Sequence, residues 1–236
     1  MIHVVYRLCE LEIPGAPKRE ARPKYFDKIK CLKNMLNVFG YNNNCITFVH
    51  DGPKAALWKC IEELEDTYKN VSILKIDARS NQESLKAALE AGKHVDCSMV
   101  YQLEDDYLHV PNADKILWAG LELTKSISDA PAVFSLYDHP DRYTRTDNRD
   151  TGKVSVHFHT CHWRTAESTT CTWACNYEHY TTIVKYAEKH LLNDRKLFYD
   201  LADNGIKLYT SMPGAATHCH EPFLSPGVYW KDIKVQ

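Results

Sequence analysis

The feature that most restricts the fold is an alternation running through the first 138 residues. Short apolar runs with strand character fall at 2–8, 45–49, 71–76, 99–103 and 132–137. Segments with helical spacing lie between them. Residues 24–39 carry Ile29, Leu32, Leu36 and Phe39 on one face and stop at Gly40. Leu57, Cys60, Ile61, Leu64 and Tyr68 line a second helix that opens at Pro53. Ser80 and Glu83 form a capping-box pair for a third, through Leu85 and Leu89 to Gly92, and a fourth spans 112–127. Strands separated by helices imply right-handed crossovers and a mainly parallel sheet. Ligands of such sheets bind beyond the carboxyl ends of the strands. Those ends read Asp51, Asp77, Glu104-Asp105-Asp106 and Asp138, so four strands deliver carboxylates to one rim.

The second half has another texture. Residues 138–153 are polar and read as an exposed loop or hairpin. Residues 154–175 alternate in patches and suggest antiparallel or mixed strands. Tyr180, Ile183, Val184, Ala187 and Leu191 mark a helix, and a shorter one runs from Asp194 to Gly205. A short strand at 207–210 precedes an irregular tail. Trp163 and Trp230 lie in polar stretches, which predicts partial exposure for both. No repeat or linker divides the chain, so we expect a single domain over 1–236, with a ligand-binding half at 1–138 and a second half at 139–236.

Composition excludes some classes. Apolar residues at 44% and charged residues at 25% are a globular balance, not that of a disordered chain. With 29 basic and 31 acidic residues, the net charge of -2 gives no global field for a dedicated nucleic-acid binder. Nine cysteines scatter from Cys9 to Cys219, mostly in apolar runs, and read as reduced, buried thiols. No apolar run reaches the ~18 residues of a membrane span. The opening, interrupted by Arg7, does not read as a signal peptide. A cytoplasmic location is expected.

Three adjacent acids at a strand end repel one another, and a hard divalent cation relieves that repulsion. Mg²⁺ and Mn²⁺ bind through one or two carboxylates plus substrate phosphates. The competing reading is an acidic turn before Pro111. Asp51 and Asp77 suit hydrogen bonds from a nucleobase or ribose, or the capping of the next helix. Arg19, Arg22 and Lys24 lie in the loop after the first strand and suit a diphosphate, whereas Lys28 to Lys33 read as a solvated helix face. His218, in the tail, is placed to complete an oxygen-rich metal site. Asp194 is either a general base or a helix cap.

Three stretches carry a resemblance: YQLEDDYLH at 101–109, FSLYDHPD at 134–141, and PGAATHCHE at 213–221 followed by Leu224-Ser225-Pro226 and Trp230. With an acidic triplet of the DXD type closing a strand, the chain resembles the nucleotide-sugar-dependent glycosyltransferases of the GT-A fold, in particular small enzymes of phages, large viruses and bacteria. The resemblance covers most of the chain. It implies an α/β, Rossmann-related architecture with a mixed, mainly parallel central sheet flanked by helices. It also implies Mn²⁺ or Mg²⁺ on the donor diphosphate, bound mainly by Asp106, with His218 as a further ligand. His220 is the alternative histidine. Glu104 would contact ribose or water in the ion's shell; its place as the first acid, where the pattern has Asp, departs from the family. Asp51 would contact the base, and Asp77 and Asp105 share the donor side.

The implied reaction moves a sugar from a nucleoside-diphosphate sugar to an acceptor hydroxyl. An inverting course needs a carboxylate base, for which Asp194 and then Asp138 are the candidates. The acceptor would be a glycan; a modified base in phage DNA is a second class that the near-neutral charge disfavours. Two other readings are a nucleotidyltransferase, which lacks support from any Gly-rich phosphate loop near the N-terminus, and a non-catalytic nucleotide-sugar-binding module.

Overall fold

The computed structural model describes residues 1–9, 21–41, 43–52, 61, 63–64, 70–78, 80–127, 129–144 and 155–235. In chain order these form β1 (Ile2–Cys9), α1 (Lys28–Phe39), β2 (Cys45–Asp51), β3 (Val71–Ile76), α2 (Asn81–Ala91), β4 (Met99–Glu104), β5 (Tyr107–His109) and α3 (Ala113–Ile127). There follow β6 (Ala132–Ser135), α4 (Asp141–Thr144), β7 (Ser155–Phe158), β8 (Cys161–Ala166), β9 (Trp173–Asn176), α5 (Tyr177–Lys189), α6 (Asp194–Asp203), β10 (Lys207–Met212) and β11 (Ala216–His218). The helix expected at 53–68 lies largely outside the described residues.

The main sheet has nine strands in the order β3-β2-β1-β4-β9-β6-β10-β8-β7. Seven point one way; β8 and β9 run against them. It is thus mixed and mainly parallel, and one sheet runs through both halves of the chain. Side-chain alternation sends Val4, Tyr6 and Leu8 of β1 to one core and Val5 to the other. α1 and α3 cover the first face with Leu32, Met35, Phe39, Leu117 and Leu121. α2, α5 and α6 cover the second with Leu89, Ile183, Val184, Leu197 and Leu201. Burial on both faces explains why the central strands are continuous apolar runs. No helix among the described residues is long and apolar enough to cross a membrane. The eight described cysteines form no disulfide with one another.

Both tryptophans expected at the surface are buried. Trp163 packs edge-on to Phe134 beside Gly120, where an added Cβ would sit 2.7 Å from either ring. Trp230 covers Cys31, Leu108 and Cys219, and its Nε1 donates to the Ser225 carbonyl at 2.7 Å. His162 and Lys231, next to them in the chain, are exposed, while each indole closes a core.

Two buried histidines give the fold a pH dependence. His109 is fully buried, accepts or donates at Nε2 with the Tyr101 hydroxyl at 2.9 Å, and is pushed down to about 3 by burial. His3 is likewise pushed down to about 4 by burial. A folded-state value below the unfolded one means that the unfolded chain binds more protons between the two. Stability is therefore full above the unfolded value of ~6.5 and falls as pH drops towards 4, by up to about 1.4 kcal/mol per pH unit for each group. Urea unfolding should give a flat free energy above pH 7 and a clear loss at pH 5. Equal values at pH 5 and 7 would contradict the neutral, buried state of these rings.

Candidate active site

β1 and β4 lie side by side in parallel register, with Arg7 opposite Glu104, and β2 brings Asp51 opposite Cys9. β4 ends at Glu104, and the chain turns through Asp105 and Asp106 before β5. The turn sends the three acids in different directions, and each meets its own cation. Glu104 pairs with Arg7, which also donates to Asn81 at the start of α2. Asp105 pairs with Lys28 Nζ at 2.8 Å and accepts from the Cys9 N–H at 3.0 Å. Asp106 Oδ2 meets Arg22 at 2.8 Å and His218 Nε2 at 2.9 Å.

Mutual repulsion in the triplet is thus answered by protein cations. Lys28 belongs to this site, not to a solvated face as expected. Asp27 caps α1, so Lys28 is its first residue and points back to the rim. Burial pushes the Asp105 carboxyl up, with Lys28 opposing. Burial acts the same way on Asp106, but His218 and Arg22 outweigh it and hold that carboxyl well below the usual range.

A two-stranded antiparallel ribbon of β5 and β11 brings the tail to the triplet. His218 is the register partner of Tyr107, and the Cys219 N–H donates to the Asp106 carbonyl at 2.8 Å. The His218 ring stacks on Tyr107 at 5.2 Å and on Phe223 at 5.8 Å. His220 lies 6.0 Å from it, ring to ring. Asp106 Oδ1 and the Nδ1 atoms of His218 and His220 are buried without a hydrogen-bond partner among the described residues. Buried polar atoms are seldom left so. No group of three or more His, Cys, Asp or Glu side chains gathers in metal-binding proximity among the described residues. Asp106 and His218 nevertheless fit a hard divalent ion, which takes one or two protein ligands when phosphate oxygens and water fill the rest.

The remaining donor-side candidates divide. Asp51 is buried, and its Oδ1 accepts from the Ala78 N–H at 2.9 Å, tying the ends of β2 and β3. Gly52, at φ +82, makes the turn a side chain would strain. Asp77 is exposed and, with Ile76, Ala78, Glu83 and Ala87, lines an open cavity of about 370 Å³. Arg19 lies outside the described residues.

Asp194 and Asp138 have unlike surroundings. Asn193 caps α6, accepting from the Lys196 N–H at 3.1 Å. Asp194 is thereby released from that task. Its carboxylate accepts from the Cys171 N–H at 3.3 Å and the Cys171 thiol at 3.4 Å. Cys171 adopts φ 39, a left-handed conformation that cysteine rarely takes. Its loop is fixed to β5 and β4 by Tyr107, whose hydroxyl donates to the Thr170 carbonyl at 2.7 Å, and by Thr172, which donates to the Tyr101 hydroxyl at 3.1 Å. Burial pushes Asp194 up; Cys171 and the charge of Arg7 work against it. Asp138, the second candidate base, sits in an enclosed polar cluster. It has no exposed surface, pairs with Arg164, and accepts from the Tyr143 hydroxyl at 2.5 Å. Sequence reasoning missed Arg7, Lys28 and Cys171, whose neighbours are set by strand order and not by spacing.

No family model matches the sequence, and no curated protein matches it. Among solved structures the chain is similar to the galactosyltransferase LgtC in complex with donor and acceptor sugar analogs, at 11% identity and a TM-score of 0.45, over 88% of this chain and 73% of that one. An active-site mutant of LgtC gives 12% identity and a TM-score of 0.43, over 85% and 69%. A nucleoside-diphosphate-sugar pyrophosphorylase from Vibrio cholerae RC9 gives 12% identity and a TM-score of 0.45, over 93% and 95%.

Proposed function

We propose that the chain is a metal-dependent glycosyltransferase that moves a sugar from a nucleoside-diphosphate sugar to an acceptor hydroxyl. The observation that carries this reading is the buried Asp106 carboxylate at the sheet rim, with one oxygen lacking a partner among the described residues and the other against His218. Asp106 and His218 hold Mn²⁺ or Mg²⁺, and Arg22 faces the diphosphate; Arg19, a diphosphate candidate by its place in the sequence, lies outside the described residues. When bound, the cation neutralises charge on the nucleoside-diphosphate leaving group as the sugar bond breaks. Asp51 and Asp77 mark the nucleoside side. The Arg7–Glu104 and Lys28–Asp105 pairs fix the rim. Asp194 takes the proton of the acceptor hydroxyl, and Asp138 orients Arg164 and Tyr143 on the acceptor side. A glycan hydroxyl fits that side; a modified base of phage DNA is the alternative acceptor.

A thermal-shift survey of UDP, GDP, dTDP, CDP and their sugars, with and without Mn²⁺, tests this. One nucleotide at ~100 times its dissociation constant should raise the midpoint by about 5–10 °C, and only with metal. No metal-dependent shift with any diphosphate would remove the reading. Preference for a nucleoside triphosphate, with release of pyrophosphate, would favour a nucleotidyltransferase.

A further inference from the structure

We propose that Arg22, paired with Asp106, competes with a divalent ion for that carboxylate and passes to the donor diphosphate when the ion binds. The inference rests on the reading that Asp106 and His218 bind metal, and it adds an order and a coupling to that binding.

The three bases that answer the triplet are not equivalent. Arg7 lies within β1 and is shared between Glu104 and Asn81. Lys28 is the first residue of α1 and also donates to the Cys9 carbonyl. Both are fixed by regular elements. Arg22 lies in neither a helix nor a strand. Its anchors are the Cys219 carbonyl, 2.8 Å from Nη1, and the Phe26 ring, 4.7 Å from the guanidinium carbon. Neither anchor is an anion, so Asp106 is the guanidinium's one charged partner among the described residues.

The charge around Asp106 is lopsided. Oδ2 carries both Arg22 and His218, while Oδ1 carries no partner among the described residues. A divalent ion on Asp106 would lie within a few ångströms of the Arg22 guanidinium, and like charges so close in a poorly solvated site repel strongly. An ion shared by Asp106 and His218 takes the place between Oδ2 and Nε2 beside which Arg22 also sits, and so displaces Arg22. A diphosphate bridging the same ion offers the displaced guanidinium a bidentate partner. Metal alone must strip Arg22 from its carboxylate without compensation. Metal together with diphosphate exchanges one charge-assisted pair for another. The two ligands thus favour each other, and the coupling is reciprocal.

The test is Mn²⁺ binding to the whole protein without nucleotide, read from the electron paramagnetic resonance signal of free Mn²⁺. Arg22→Gln removes the competitor and should tighten Mn²⁺ binding about tenfold over wild type, whereas Arg22→Lys, which keeps the charge, should stay near wild type. Asp106→Asn should lose Mn²⁺ binding. Unchanged or weaker binding in Arg22→Gln, with Asp106→Asn still abolishing it, overturns the exchange and leaves the metal site standing. Mn²⁺ binding that ignores Asp106→Asn overturns both. Wild-type crystals soaked in MnCl₂ supply a check that needs no variant. Arg22 should leave Asp106 when Mn²⁺ is present; an intact Arg22–Asp106 pair beside bound Mn²⁺ refutes the exchange.

Discussion

Asp106→Asn should weaken the Mn²⁺-dependent binding of a nucleoside diphosphate by about a hundredfold or more, close to 3 kcal/mol. The substitution keeps the shape of the side chain and removes its charge. An amide oxygen is a poor ligand for a hard cation, and His218 alone does not hold Mn²⁺ or Mg²⁺ at useful affinity. The same change leaves Arg22, whose side chain is 15% exposed, without its anion. Stranding a poorly solvated charge is itself destabilising, by about 3–5 kcal/mol in a fully buried pair and less here. A fall in the melting midpoint alone would therefore say nothing about the site. The double variant Asp106→Asn/Arg22→Gln separates the two effects, because it removes the stranded guanidinium with the carboxylate. It should recover most of the lost stability and none of the metal-dependent binding. Affinity within about threefold of wild type in a folded Asp106→Asn protein would end the assignment of this carboxylate to the cation.

The rim was legible in the sequence because the chain there obeys simple rules. β2 and β4 are largely apolar runs that stop on acids, since strands buried on both faces admit few polar residues until they leave the sheet, whereas β3, an edge strand and largely exposed, ends just before Asp77. The Ser80 cap of α2 and its end at Gly92 also follow from local chemistry, with the Ser80 side chain accepting from the Glu83 N–H. What the sequence hid is tertiary. β5 and β11 have three residues each, too few for alternation to show, yet their pairing sets His218 on Tyr107 and against Asp106. The phase of α1 was also misread. Its apolar residues suggested a start near Lys24 with Ile29 inward, but Asp27 caps it, Ile29 is exposed, and Lys28 turns to Asp105. The charge balance of the triplet depends on β1 lying beside β4, a neighbour relation between residues almost a hundred positions apart. No spacing rule encodes that.

Asp194→Asn should lower turnover by about 10²–10⁴-fold, the usual worth of a general base, while the donor binds within about twofold of wild type. The expectation follows from what surrounds the carboxylate. Burial raises it, and a base with a raised value takes a hydroxyl proton more readily than a surface carboxylate. Cys171 tempers that rise, because its N–H and thiol both donate to the ionised form. The acid limb of the pH–rate profile should thus fall above the ordinary carboxylate range. Cys171→Ala removes the thiol donor, disfavours the ionised form, and should move that limb to higher pH. Cys171→Ser supplies a stronger donor and should move it lower. The assay is release of nucleoside diphosphate from the donor that the thermal survey selects, with Mn²⁺ present. A purely structural role for Cys171 would change the rate at every pH and leave the limb in place. Retention of more than about a third of wild-type turnover by Asp194→Asn would exclude this carboxylate as the base and favour a course that needs none.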